Sequence, residues 1–243
     1  MLKRVVLLFF SLAFFTSLSL AADLKNSIGV AYEYVSFDYV IPFSQFLSHE
    51  EKVHGSLFGL QFEHRNKLDT IEYRIKLNYL FADNLHFSGK AKFNYPFYHY
   101  ESETKEKFKA SKFHIDTALF VRPQFDKLPR IDIIERFAVN IKPGAGLGYD
   151  SYSLQNERRL ESIYVAPAVR LSFLDRIDLT FYTKLQRNHV KAFDYRKTFS
   201  SVTPGASLSL LWGDKVSFNL FYEKREHGKF KLKTVGGSIL FRF

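Results

Sequence analysis

From about residue 28 to the C-terminus the chain alternates apolar and polar residues with a period of two, and the apolar set seldom admits a charge. Ile71, Tyr73, Ile75, Leu77, Tyr79 and Phe81 alternate with Thr70, Glu72, Arg74, Lys76 and Asn78. On a β-strand that spacing sends each set to its own face. One face is aromatic and branched, while the other holds Glu, Arg and Lys. A soluble barrel turns its apolar face inward. An uncharged apolar face opposite a strongly charged one suits a wall with lipid outside and water within.

Similar alternation runs through 86–95, 113–122, 137–150, 163–171, 177–186, 206–212, 216–225 and 230–243. Tight turns are predicted at 82–84, 174–176 and 213–215, with a looser one at 126–135. Charged, longer outer connections are predicted at 101–111, 151–160 and 188–200. The pattern predicts an all-β fold, a transmembrane antiparallel up-and-down β-barrel of about ten strands. The N-terminal quarter strains that count, because 28–39 and 57–65 both read as strands and make eleven. An odd number cannot place both termini on one side. Residues 27–40 are read as the first strand and 41–69 as a large outer loop with a strand-like extension. Eight and twelve strands stay open.

The N-terminus carries Lys3 and Arg4, an apolar run from Val5 to Leu20, and small residues at Ser19 and Ala21. That is the layout of a cleaved signal peptide over residues 1–21, leaving 22–243 as one barrel domain. Cleavage removes two positive charges from a net charge of +10. No other segment approaches the roughly 18 apolar residues of a membrane helix. Yet there are 27 Phe and 14 Tyr, more rings than one small interior accepts but suited to a lipid-facing surface with interfacial girdles. With no cysteine, disulfides and thiolate metal sites are excluded. An exported wall protein does not meet nucleic acid. The basic balance points instead to outer-membrane lipids, lipopolysaccharide phosphates or small anionic solutes.

The last stretch has Val235, Ile239, Phe241 and Phe243 on one side and Gly236, Ser238 and Arg242 on the other. Ending on Phe243, it resembles the signal by which outer-membrane β-barrels are recognised for assembly, with Ile239, Phe241 and Phe243 as its apolar positions. Ser238 stands where that pattern has glycine. The run Pro143-Gly144-Ala145-Gly146-Leu147-Gly148-Tyr149-Asp150 and the segment Ala82-Asp83-Asn84-Leu85 resemble stretches of the small OmpA-type barrels. These resemblances imply the outer membrane of a Gram-negative-type bacterium, and the barrel assembly machinery as a partner during biogenesis.

Parity sends Glu72, Arg74, Lys76, Lys90, Lys92, Asp116, Arg122, Lys142, Arg170, Asp178, Lys184, Glu223 and Arg225 to the lumen. They could line a narrow, weakly anion-preferring pore. They could equally pair into a plug, since eight to ten strands enclose little more than their own side chains. A structural or interaction role and a narrow pore are therefore both expected functions. One catalytic candidate exists. His86 and Ser88, two apart on a strand, share a face where imidazole could activate the hydroxyl. His86-Phe87-Ser88 resembles the His-x-Ser-Asn element of outer-membrane phospholipase A and lipid A deacylase, which implies lipid hydrolysis as the alternative. Gly89 replaces the Asn, and parity aims the pair at the lumen beside a turn. Gly144, Gly146 and Gly148 make room for bulky neighbours rather than a phosphate loop. His114, His189 and His227 are scattered and read as solvated or lumen residues, so no metal or cofactor is expected.

Overall fold

A computed structural model describes residues 25–42, 47–67, 70–95, 98–121, 139–155, 157–174, 176–213 and 215–243. The signal-peptide reading, Arg122 and the 126–135 turn lie outside the described residues. Ten strands follow one another: β1 (Lys25–Pro42), β2 (Leu47–Lys67), β3 (Ile71–Tyr95), β4 (Tyr98–Val121) and β5 (Val139–Leu154) form the first half. The second half is β6 (Arg158–Phe173), β7 (Ile177–Ala192), β8 (Tyr195–Trp212), β9 (Val216–His227) and β10 (Phe230–Arg242). Each pairs antiparallel with its sequence neighbours, and β1 pairs with β10 to close the barrel. Closure removes the free edge that an open sheet would expose. At the seam Gly29 faces Leu240, and a Cβ there would run into the Ile239 carbonyl.

The eleven apolar runs resolve into ten strands by one merger and one promotion. Residues 47–67 are a full strand, not an outer loop. The runs 70–81 and 86–95 are a single 25-residue strand, β3. No turn breaks it at 82–84. Ala82 pairs with Ala110 and Leu85 with Phe108, so three steps on β3 match two on β4 and the extra residue forms a bulge. The predicted outer connections shrink likewise. Residues 101–111 belong to β4, while 151–160 and 188–200 are mostly strand around short turns. Alternation continues there because cross-strand ion pairs support it. Lys90 meets Glu101 at 2.5 Å, Lys92 meets Glu50 at 2.8 Å and Lys191 meets Glu157 at 2.8 Å. The turns at 174–176 and 213–215 share one end with both termini, the terminal end. The other is the hairpin end.

An apolar belt covers the outside of the terminal half, including Val30, Tyr32, Leu60, Phe81, Leu119, Leu147, Ile163, Phe181, Val202, Leu220, Ile239 and Phe241. Nearer the hairpin end the faces exchange character. On β1 the inward residues run Ser27, Ala31 and Glu33, then Val35, Phe37 and Ile41, while the outward ones pass from Tyr34 to Ser36 and Asp38. The same barrel is lipid-facing below and water-facing above, so apolar groups move from outside to inside. On β3 the bulge performs the exchange by shifting parity. Asn78, Leu80 and Ala82 point inward, and so do Leu85 and Phe87 beyond it.

Candidate functional site

The interior is the place where this fold concentrates chemistry, and it has two storeys. In the terminal half every strand contributes inward polar groups. Near the termini, Glu72 accepts from the Arg170 guanidinium and from Lys142 Nζ at 3.3 Å. Arg65 bridges Glu63 at 2.5 Å and Asp178 at 3.4 Å, and Ser172 donates to Asp178 at 2.7 Å. Arg170 also lies 3.8 Å from the centroid of Phe120. One level up, Asp116 takes Arg74 at 3.2 Å and His114 Nε2 at 3.1 Å. The other nitrogen of His114 meets Asp150 at 2.6 Å. Lys184 joins Asp150 (3.6 Å) to Glu223 (2.7 Å), and Tyr182 donates to Glu223 at 2.8 Å. Lys112 binds both oxygens of Glu33 at 2.6 and 2.7 Å, with the Tyr152 hydroxyl donating at 2.8 Å.

Such pairing is what a low-dielectric interior demands, since an unpaired buried charge is costly. Among the described residues three inward cations, Arg225, Lys76 and the terminal Arg242, form no ion pair. The Arg225 guanidinium donates to Ser162, Asn188 and Thr203 instead. Lys76 reaches toward the Phe221 ring, 5.4 Å away. The space left among Gln61, Arg74, Lys76, Asn78, Tyr164 and Glu223 is a cavity of about 100 Å³. At ~10–15 Å³ per water position it suits a handful of waters.

The hairpin half is filled differently. Val35, Phe37, Val53, Leu57, Leu85, Phe87, Phe108, Leu160, Val190, Phe199, Phe230 and Leu232 form one buried apolar cluster across the barrel. Phe87 and Phe108 stack at 4.1 Å, and Phe199 tilts against Phe230 at 5.2 Å. Inside this plug sits one ion pair. Arg158 binds Glu51 through two contacts of 2.8 Å, and the Tyr39 hydroxyl donates to the same carboxylate. His49 Nε2 approaches Glu51 at 3.3 Å. Burial, and then the Arg158 charge, hold the His49 imidazole below its ordinary range. A depressed imidazole binds fewer protons folded than unfolded. Its share of stability is therefore full above about pH 6.5 and is lost as pH falls toward the folded value. Urea midpoints at pH 7.5 and 5.5 should differ less in His49→Gln than in the wild type.

The sequence-derived lumen set divides. Glu72, Arg74, Lys76, Asp116, Lys142, Arg170, Asp178, Lys184, Glu223 and Arg225 point inward. Lys90 and Lys92 do not. The bulge turns them outward, where they pair with Glu101 and Glu50 beyond the belt. Ile239, Phe241 and Phe243 lie on the outer face at the terminal end. His86 and Ser88 also face outward rather than into the lumen. The His86 ring stacks on His54 at 5.3 Å, and Ser88 reaches Glu103 at 3.4 Å, so no hydrogen bond between the two is present. Glu33, Lys112 and Asp150 joined the network without being singled out from sequence, and the apolar plug was missed entirely. The signal for the plug is the swap of polarity within one strand, visible from Glu33 to Phe37.

No protein-family model matches the chain, and no curated protein does. Among solved structures it is similar to the outer membrane protease OmpT from Escherichia coli, at 8% identity over 93% of this chain and 97% of that one, with a TM-score of 0.50. An outer membrane channel from Pseudomonas putida aligns over 93% and 97% at 9% identity, with a TM-score of 0.46. The translocator domain of the autotransporter NalP from Neisseria meningitidis aligns over 95% and 92% at 9% identity, with a TM-score of 0.44. Identities this low speak to fold alone. Closed, antiparallel and ten-stranded, with a polar interior inside an apolar belt, the chain has the fold of a small outer-membrane β-barrel.

Proposed function

We propose that this barrel serves as a closed structural or surface-interaction element of the outer membrane rather than as a conduit. The observation that carries this reading is the double filling of the lumen. A paired ionic layer lies within the belt, and an apolar plug lies above it. An ion crossing such a path would have to break charge pairs and then traverse a dry aromatic layer, and both steps oppose conduction. The terminal end faces the periplasm, and the ion-paired hairpins project outward as the surface available to partners. His86 stacks on His54 while Ser88 donates to Glu103, so the imidazole is not placed to take the Ser88 proton and lipid hydrolysis is not favoured.

Planar-bilayer recording of refolded residues 22–243 tests this. Silence from protein shown to be folded by its heat-modifiable gel shift is expected. Discrete steps from the unmodified chain, with either ion preference, would replace this reading by the pore.

A further inference from the structure

At the hairpin end one strand edge is left open. β4 begins at Tyr98, but its pairing with β5 begins only at Ala110, opposite Leu154. Gln155 closes the next step, donating its N–H to the Lys109 carbonyl at 2.9 Å and accepting the Lys109 N–H through Oε1 at 3.2 Å. Beyond it residues 98–108 pair with β3 on one side and, among the described residues, with no strand on the other. At about 3.3 Å per residue that is roughly 35 Å of edge. An antiparallel ladder turns alternate residues to the same side. The N–H and C=O groups of Glu101, Glu103, Lys105 and Lys107 therefore continue the side of Lys109 and face solvent.

Such an edge is a template for another strand, and proteins often interrupt it with a proline or a bulge. Neither occurs here, since β4 carries no proline and the nearby bulge belongs to β3. What the edge has instead is a charge pattern that complements itself. Laid antiparallel on a second copy with Thr104 opposite Thr104, the outward face sets Glu101 against Lys107 and Glu103 against Lys105. Sliding one ladder step either way sets Glu103 against Glu103, or Lys105 against Lys105. Opposite charges facing each other favour a strand pair and like charges disfavour it, so one register is selected. Within the chain Glu101 already meets Lys90 at 2.5 Å and Glu103 meets Lys105 at 3.3 Å, so a second copy extends an existing network. Lys107, without an ion pair among the described residues, gains one.

We propose that β4 pairs edge to edge with β4 of a second copy of this chain, in the register centred on Thr104. The two-fold axis of such a pair is perpendicular to the sheet. The barrels therefore meet hairpin end to hairpin end, as they would from two facing membranes. This deepens the surface-interaction reading by naming the partner. It requires neither an open nor a closed lumen, so the bilayer recording and the test below fail independently.

The test uses folded residues 22–243 in a neutral detergent. The chain has no cysteine, so an introduced thiol reports alone. Thr104 stands at a non-hydrogen-bonded position, where opposed Cα atoms lie about 4.5 Å apart, within disulfide reach. Thr104→Cys is expected to oxidise to a covalent dimer. Ser102→Cys and Glu106→Cys, each four residues or roughly 13 Å from its own copy, should stay monomeric alone and join when mixed. Sedimentation equilibrium in density-matched detergent gives the affinity. Glu103→Lys or Lys105→Glu alone should weaken it about tenfold, because each acts on both symmetric contacts. The double exchange should restore it to within about threefold, which separates charge from misfolding. Equal cross-linking at all three single positions would mean random collision and overturn the register. Protein that stays monomeric throughout the concentration series would overturn the second copy and leave the edge to an extended segment of a different protein.

Discussion

Replacing Arg158 by alanine is expected to remove about 3–5 kcal/mol of folding stability, the cost of leaving one partner of a buried ion pair alone. Glu51 is 0% exposed and Arg158 is 5% exposed, so water cannot take over for the missing partner. The pair sits in the water-facing storey of the barrel, yet the aromatic plug keeps it dry. The guanidinium lies 4.3 Å from the Phe193 ring centroid, 4.9 Å from Phe87 and 5.1 Å from Phe108. Its Nη1 has no hydrogen-bond partner among the described residues, and the rings cover the guanidinium instead. Removing the arginine thus strands the carboxylate and opens a void under three rings.

A second variant tells pairing from packing. Glu51→Leu with Arg158→Leu replaces both charges by apolar groups, which is often close to neutral for a buried pair. It leaves the Tyr39 hydroxyl without its acceptor, at about 1–3 kcal/mol, so Tyr39→Phe completes the set. The triple variant should recover most of what Arg158→Ala loses. Urea titration in detergent micelles, read from the folded band on an unboiled gel, measures both. A loss under about 1 kcal/mol in Arg158→Ala would mean that water reaches Glu51 and the plug is not dry.

How much of this was legible in the sequence depends on the storey. Strands such as β6, β7 and β9 lie largely inside the belt, and there Val165, Phe181 and Leu220 alternate with inward polar groups as expected. Alternation reports that two faces differ, but it does not report which one is inside. In β1 the chemistry of the inward face changes between Glu33 and Val35 with no irregularity in the chain to mark it. In β3 the extra residue at 82–85 hides the same change, because the apolar run Tyr79, Phe81, Leu85 and Phe87 stays on odd numbers while the inward face moves from even to odd. Asp83 and Asn84 look like turn residues, and a turn and a bulge ask for similar side chains. The ion-pair partners were harder still. Glu33 and Lys112 are 79 positions apart, and only barrel closure brings them together.

Phe87 and Ser88 give that exchange of faces a direct test. Phe87→Ala is expected to cost about 3–5 kcal/mol, the usual loss when a packed core aromatic is truncated. The ring is 5% exposed, stacks on Phe108 at 4.1 Å and supports the Arg158 guanidinium. Ser88→Ala should fall within about 0.5 kcal/mol of wild type, as an outward position with one long hydrogen bond to Glu103. Unbroken alternation through 71–95 makes the opposite forecast. Phe87 would then stand on the outer wall, where truncation removes little packing, and Ser88 would sit beside His86 in the lumen. The comparison is robust because the residues are adjacent and share the same strand, height and backbone pairing. Urea midpoints that order the two variants the other way would return residues 86–95 to the parity of the rest of β3. They would remove the bulge as the device that separates the lipid-facing half of this barrel from its water-facing half.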